Sequence, residues 1–136
     1  MSITGLNHIT FSVAGLDRSL RFYCELLGFS IRMRTPSSAY LEAGTFWLAL
    51  VLDSNVRGGP PPEYSHIALS IASSGLSGMV RKLKDAGVAC WQESERGDSF
   101  YFLDPDGHKL ELHSGDLHGR LRARAAAQDA DTQIYE

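Results

Sequence analysis

Two histidines and one glutamate carry the residue types and spacing of a divalent-metal site. His8 stands in LNHITFSV, His66 in YSHIALSI and Glu111 in HKLELHS. Two imidazoles and a carboxylate leave coordination positions open, which suits Mn, Fe, Zn or Ni acting on a bound substrate. His8 lies 20 residues before Gly28 and His66 21 before Gly87, so the two histidines hold matching places in two similar segments. Glu111 alternates with Leu110 and Leu112. If those leucines fill a core behind a sheet, the carboxylate faces the opposite side. Gathering three such groups in a partly apolar cleft without a cation would cost desolvation energy.

The same residues also permit a plainer reading. A single histidine in a strand is more often a core or surface side chain than a ligand. The matched pair shifts the balance toward a site. His113 shares the face of Glu111 and is either a rival ligand or a group supporting one. His108, beside Gly107, is expected to be solvated, and His118 to lie on the surface of a terminal helix. Cys24 and Cys90 have no metal-binding spacing and are expected to be small buried hydrophobes.

Elements must position these groups, and the chain reads as one unit written twice. Residues 6–28 and 64–87 each run from a short alternating strand through a small-residue turn into a helical pattern that stops at glycine. In the first strand His8, Thr10 and Ser12 share one face. Asp17 is a candidate N-cap, and Leu20, Tyr23, Leu26 and Leu27 form a helical stripe. Strands are expected at about 30–35, 38–43 and 46–52. The second unit repeats the order, with a strand at 64–71, a helix at about 75–86, and strands at about 88–92, 99–103 and 109–113. DPDG at 104–107 marks the last turn.

The expected class is therefore α+β, as two βαβββ modules around a metal cleft. Residues 1–136 form a single domain, with module one at about 3–53, a Gly/Pro-rich linker at about 54–63, module two at about 64–114, and a C-terminal helix and tail at about 115–136. Either module alone would bury little surface.

Bulk properties narrow the function. The 136 residues suit one compact domain. With 43% hydrophobic and 21% charged residues and a net charge of -3, no basic face for nucleic acid is expected. No apolar run approaches a membrane span. The N-terminus lacks the pattern of a signal peptide, so the expected location is cytoplasmic.

LNHITFSV, AYLEAGTFWLAL, YSHIALSI and, above all, GDSFYFLDPDGHKLELHSGDL resemble the vicinal oxygen chelate (glyoxalase/bleomycin resistance/dioxygenase) superfamily. Within it the chain is similar to the fosfomycin-resistance proteins of the thiol-transferase type, over about residues 3–124. The resemblance implies a glyoxalase-like fold and Mn(II), or another divalent metal, on His8, His66 and Glu111. It implies thiol addition to the fosfomycin epoxide, with glutathione as the expected thiol. Arg120, Tyr101 and Ser99 would hold the phosphonate, with Ser94 or Glu95 in place of a further serine. Thr10 would stand near the oxirane oxygen, and Tyr40, Trp47 and Tyr64 would line the substrate cleft. A potassium ion is implied near the loop QESERGDS, which is one residue shorter than in the glutathione-using enzymes. A homodimer is implied, with the metal site shared between subunits, so that His8 acts in trans with His66 and Glu111.

Some positions depart from the pattern. The glutathione-using members carry Trp, Gln, Cys and Ser where this chain has Thr35, Ser37, Ala49 and Val51. Thr45 stands near the general-base glutamate of the hydrolytic branch, which disfavours simple hydrolysis. Two rival functions use the same fold. An Fe(II) extradiol dioxygenase would need no phosphonate clamp, and a non-catalytic drug-binding protein would need no metal.

Overall fold

The computed structural model describes residues 1–135. Module one contains β1 (Ile9–Val13), α1 (Leu16–Leu20), a π-helical turn (Arg21–Leu26), β2 (Ser30–Arg34), β3 (Ser38–Ala43) and β4 (Phe46–Leu52). Module two contains β5 (Ile67–Ser70), α2 (Ser73–Asp85), β6 (Cys90–Gln92), β7 (Ser99–Leu103) and β8 (Lys109–His113), and α3 (Leu117–Ala126) follows it. Each module folds its strands into a four-stranded sheet, in the orders β1-β4-β3-β2 and β5-β8-β7-β6. In each, the first strand lies parallel to the last. The duplicated βαβββ order read from the sequence is the observed one.

Alternation divides each sheet into two faces. In β3, Ala39 and Leu41 are fully buried while Tyr40 and Glu42 point the other way. In β8, Leu110 and Leu112 enter the core and Glu111 takes the opposite face. The inward faces merge into one core: Leu41, Leu48 and Leu50 from the first sheet, Phe100, Phe102 and Leu110 from the second, and Phe22, Tyr23 and Leu83 from the helices. The rings of Phe22 and Phe102, 6.1 Å apart, join the two modules. The outward faces carry the candidate chemistry.

The first helix departs from expectation. Gly15, not Asp17, is its N-cap, without a side-chain cap bond. Asp17 lies in the first turn and accepts from Arg34 at 2.6 Å. That bond and the guanidinium charge hold its carboxyl below the usual range. After Leu20 the helix widens. Leu27 N–H donates to Phe22 O, five residues back, at 3.1 Å. Consecutive Phe22 and Tyr23 are both buried on this turn. Gly28, with φ of +84°, ends it in a conformation that disfavours side chains.

His108 corrects another expectation, because it is 7% exposed rather than solvated. Its Nε2–H donates to the Ser12 carbonyl at 2.8 Å, so Nδ1 accepts from Arg57 at 2.8 Å, and the ring stacks on Phe11 at 4.0 Å. Asp104 and Asp106, from the same turn, also reach into module one. Asp104 accepts from Tyr23 Oη at 2.7 Å, and Asp106 from Arg18 at 2.7 Å and Ala14 N at 3.0 Å. The β7–β8 turn is thus a polar latch between modules. Gly107 is required there: a Cβ would lie 2.6 Å from the Gly59 carbonyl carbon, where the linker crosses. The cysteines also differ from expectation, since Cys24 is half-buried and Cys90 exposed. Among the described residues, no helix is long and apolar enough to cross a membrane.

Candidate metal centre

Strand register turns the duplication into geometry. β1 pairs Thr10 with Ala49, and β5 pairs Ala68 with Glu111. His8 and His66 each stand two residues before the first member of those pairs, just ahead of their strands. The two modules therefore present equivalent positions, and the counterpart of Glu111 is Ala49. One module can offer a histidine and a carboxylate, the other a histidine alone.

His66 and Glu111 meet in module two. His66 Nδ1–H donates to the Tyr64 carbonyl at 2.8 Å, which leaves Nε2 facing Glu111 Oε1 at 2.9 Å. Two ligand atoms at right angles on a cation, each about 2.1 Å from it, lie about 3 Å apart. The pair is therefore spaced as neighbouring metal ligands are, and the backbone bond to Nδ1 presents the correct nitrogen. Glu111 is 7% exposed, so the charge is largely removed from water. The other carboxylate oxygen, Oε2, accepts from Ser99 Oγ at 2.7 Å, and Ser99 Oγ lies 2.8 Å from His113 Nδ1. His113 is thus tied to Ser99, and its Nδ1 also lies 3.4 Å from Glu111 Oε2.

Aromatic walls surround the pair. His66 packs edge-on against Tyr64 at 5.0 Å and Tyr101 at 5.9 Å, and Trp91 lies 5.1 Å from both His66 and Tyr101. Sequence reasoning missed Trp91. The three-residue strand CWQ is too short for its alternation to be read. Burial raises the Tyr101 phenol above its ordinary pKa, and the nearby Glu111 charge adds to this, while Ser99 and Arg120 act in the opposite direction. Tyr101 therefore stays a hydrogen-bond donor at neutral pH. Arg120 lines a polar cavity of about 390 Å³ with Arg96, Asp98, His113 and Arg122.

His8 is placed elsewhere. Its ring stacks on Trp47 at 4.2 Å and its Nδ1 lies 2.7 Å from Asn7 Oδ1. Tyr40 packs against Trp47 at 5.2 Å, and Thr10 follows His8 on the same outward face of the first sheet. Trp47 Nε1–H is buried, with no hydrogen-bond partner among the described residues. Within one chain the candidate residues thus form two groups: His66, Glu111, Ser99, Tyr101 and Tyr64 with Arg120 nearby, and His8, Thr10, Trp47 and Tyr40. Ser94 stands in an exposed loop, lining a groove along α2.

Among the described residues, three ligand-type side chains converge within 4.8 Å at Asp104, Asp106 and His108. These atoms are already engaged. Asp104 Oδ1 accepts from the backbone N–H of Asp106 and His108, both at 2.9 Å, and the remaining oxygens and ring nitrogens hold the latch described above. A cation there would have to displace a hydrogen-bond set that joins the modules.

Comparisons with known proteins place the fold in a family. The model of the Glyoxalase/Bleomycin resistance protein/Dioxygenase superfamily matches residues 5–112. The glutathione transferase FosA of Serratia marcescens is 43% identical over 124 residues, covering 89% of this chain and 88% of that protein. The metallothiol transferase FosB of Staphylococcus haemolyticus is 40% identical over 124 residues, covering 88% and 89%. The fosfomycin resistance protein FosX of Listeria monocytogenes, solved with Mn(II) and a sulfate ion, superposes with a TM-score of 0.78 at 27% identity, covering 90% of this chain and 99% of that one.

Proposed function

The chain belongs to the Glyoxalase/Bleomycin resistance protein/Dioxygenase superfamily, and from that premise we propose that it is a metal-dependent fosfomycin thiol transferase. The observation that carries the reading is the His66 Nε2–Glu111 Oε1 pair, 2.9 Å apart, beside Tyr101 and within the influence of Arg120. A thiol transferase for fosfomycin must hold a phosphonate dianion and stabilise the alkoxide that forms as the epoxide opens. Bound Mn(II), the metal of the Listeria FosX structure, supplies Lewis acidity toward the oxirane oxygen. His66 and Glu111 would hold it, and His8 from a second copy of the chain would complete the set.

The remaining steps belong to the protein. Arg120 offers a fork of donors matched to phosphonate oxygens, and the protonated Tyr101 phenol adds another. Thr10 enters beside His8 and can donate to the developing alkoxide. Trp91, Tyr64, Trp47 and Tyr40 exclude water around the epoxide. The thiol sulfur forms a bond to an epoxide carbon as that carbon's bond to oxygen breaks, the thiol proton is released, and the alkoxide takes up a proton to become a hydroxyl.

Glutathione is the proposed thiol, supported by the 43% identical relative that is a glutathione transferase. The protein is further proposed to act in the cytoplasm as a homodimer, and potassium near residues 92–99 is proposed as an activator. Phosphorus NMR of fosfomycin with Mn-loaded protein tests the central claim. An adduct resonance that needs both metal and glutathione is expected, and it should vanish with Glu111→Gln. A diol resonance without thiol would mean hydrolysis. No change with any thiol would overturn the reading.

A further inference from the structure

We infer that His113 is a positioning residue that acts through Ser99 to keep Glu111 a single-oxygen ligand. The inference rests on the proposed role of Glu111 as a metal ligand and adds how that ligand is held. Ser99 Oγ has one proton. Its shortest acceptor is Glu111 Oε2 at 2.7 Å, and the alternative, Asp98 Oδ1, lies at 3.4 Å. The proton therefore goes to Glu111, and the 2.8 Å contact with His113 Nδ1 must run the other way, with Nδ1–H donating to the serine oxygen. The resulting chain runs from His113 through Ser99 to Oε2, the 2.8 Å contact with Ser99 being shorter than the 3.4 Å from His113 Nδ1 to Oε2 itself, while Oε1 alone faces His66. Sheet register supports it: Ser99 pairs directly with His113, and Tyr101 with Glu111, across β7 and β8. The serine is 8% exposed, so little water competes.

The arrangement has a functional consequence. A carboxylate free at both oxygens can chelate a divalent ion and fill two coordination positions. Holding Oε2 in a hydrogen bond would favour binding through Oε1 alone and would leave that extra position for substrate oxygens. His113 is itself seated by Gly115, where a Cβ would lie 2.8 Å from His113 Nε2. Gly115 does not have a left-handed φ, so alanine is compatible with its backbone and would act by displacing the ring.

Four variants separate this role from plain structural support: Ser99→Ala, His113→Leu, His113→Asn and Gly115→Ala. Mn(II) affinity is read by EPR titration of free ion, and turnover with fosfomycin and glutathione is read alongside. Ser99→Ala and His113→Leu are each expected to weaken Mn(II) affinity by roughly 10- to 100-fold, the usual effect of losing an outer partner. The double variant should be no worse than either single one, because the two act in one chain. His113→Asn keeps an N–H near the Nδ1 position and should recover most of the affinity, while Gly115→Ala should shift it in the direction of His113→Leu. Wild-type Mn(II) affinity in His113→Leu, or equal loss in His113→Asn, would overturn the inference. Tight Mn(II) binding by the wild type without any turnover would instead defeat the proposed reaction and leave the positioning role standing.

Discussion

Glu111 shows how much one side chain's surroundings decide. As a residue type it is an ordinary surface acid. Here β8 turns it away from Leu110 and Leu112, the sheet buries it, and two neighbours each claim one oxygen. Tyr101 is the clearest single-residue test beside it. Burial raises its phenol pKa, so it remains a donor through the neutral range. Tyr101→Phe should raise KM for fosfomycin by about tenfold or more, the effect of one hydrogen bond to a charged group, while leaving Mn(II) affinity unchanged. Steady-state kinetics beside the metal titration check both halves. His66 was legible from the internal repeat, and the facing of Glu111 and Tyr101 from strand alternation. The link from Ser99 to His113 was not, because cross-strand register depends on where the β7–β8 turn sits.

At the scale of elements, the β7–β8 turn does more than reverse the chain. DPDG reads as a turn anywhere, and nothing local says that its acids will be buried. Their partners, Tyr23, Arg18 and Ala14, lie more than eighty residues away in the sequence. Tyr23 reports on this latch through pH. Burial raises its phenol well above the ordinary value of 10.0, with the Asp104 charge contributing. A pKa raised on folding means that the unfolded chain releases its proton first as pH rises. The stability is therefore complete below about pH 10 and is lost as pH climbs through the folded value. Tyr23→Phe should cost about 1–3 kcal/mol at neutral pH by removing a bond to the buried Asp104. It should also flatten the fall in melting temperature between about pH 9 and 11 relative to wild type, as thermal melts across that range would show.

The whole molecule raises the question of where the third ligand comes from. Within the chain, His8 stacks on Trp47 in the first sheet while His66 and Glu111 meet in the second. The outward faces of the two modules are equivalent in register and incomplete alone, and Ala49 takes the place of a second carboxylate. A closed two-copy assembly would place each His8 against the other copy's His66 and Glu111. Complementation tests this. His8→Ala and Glu111→Gln should each be inactive alone. Co-refolded, they should regain activity, because one site of the mixed dimer carries neither substitution. If His8 acts in its own chain, the mixture stays inactive.

The sequence by itself determined the duplicated βαβββ order, the outward facing of Glu111 and the matched histidines, because alternation and helical periodicity are local properties of the chain. It did not reveal the π-helical turn, the burial of His108, the exposure of Cys90 or the partners of Asp104 and Asp106. Those depend on which distant groups arrive alongside. The separation of His8 from His66 within one chain was likewise a tertiary decision. Matching sequence positions specify equivalent places on two sheets, and only the packing of those sheets through their inward faces decides which way the opposite faces look.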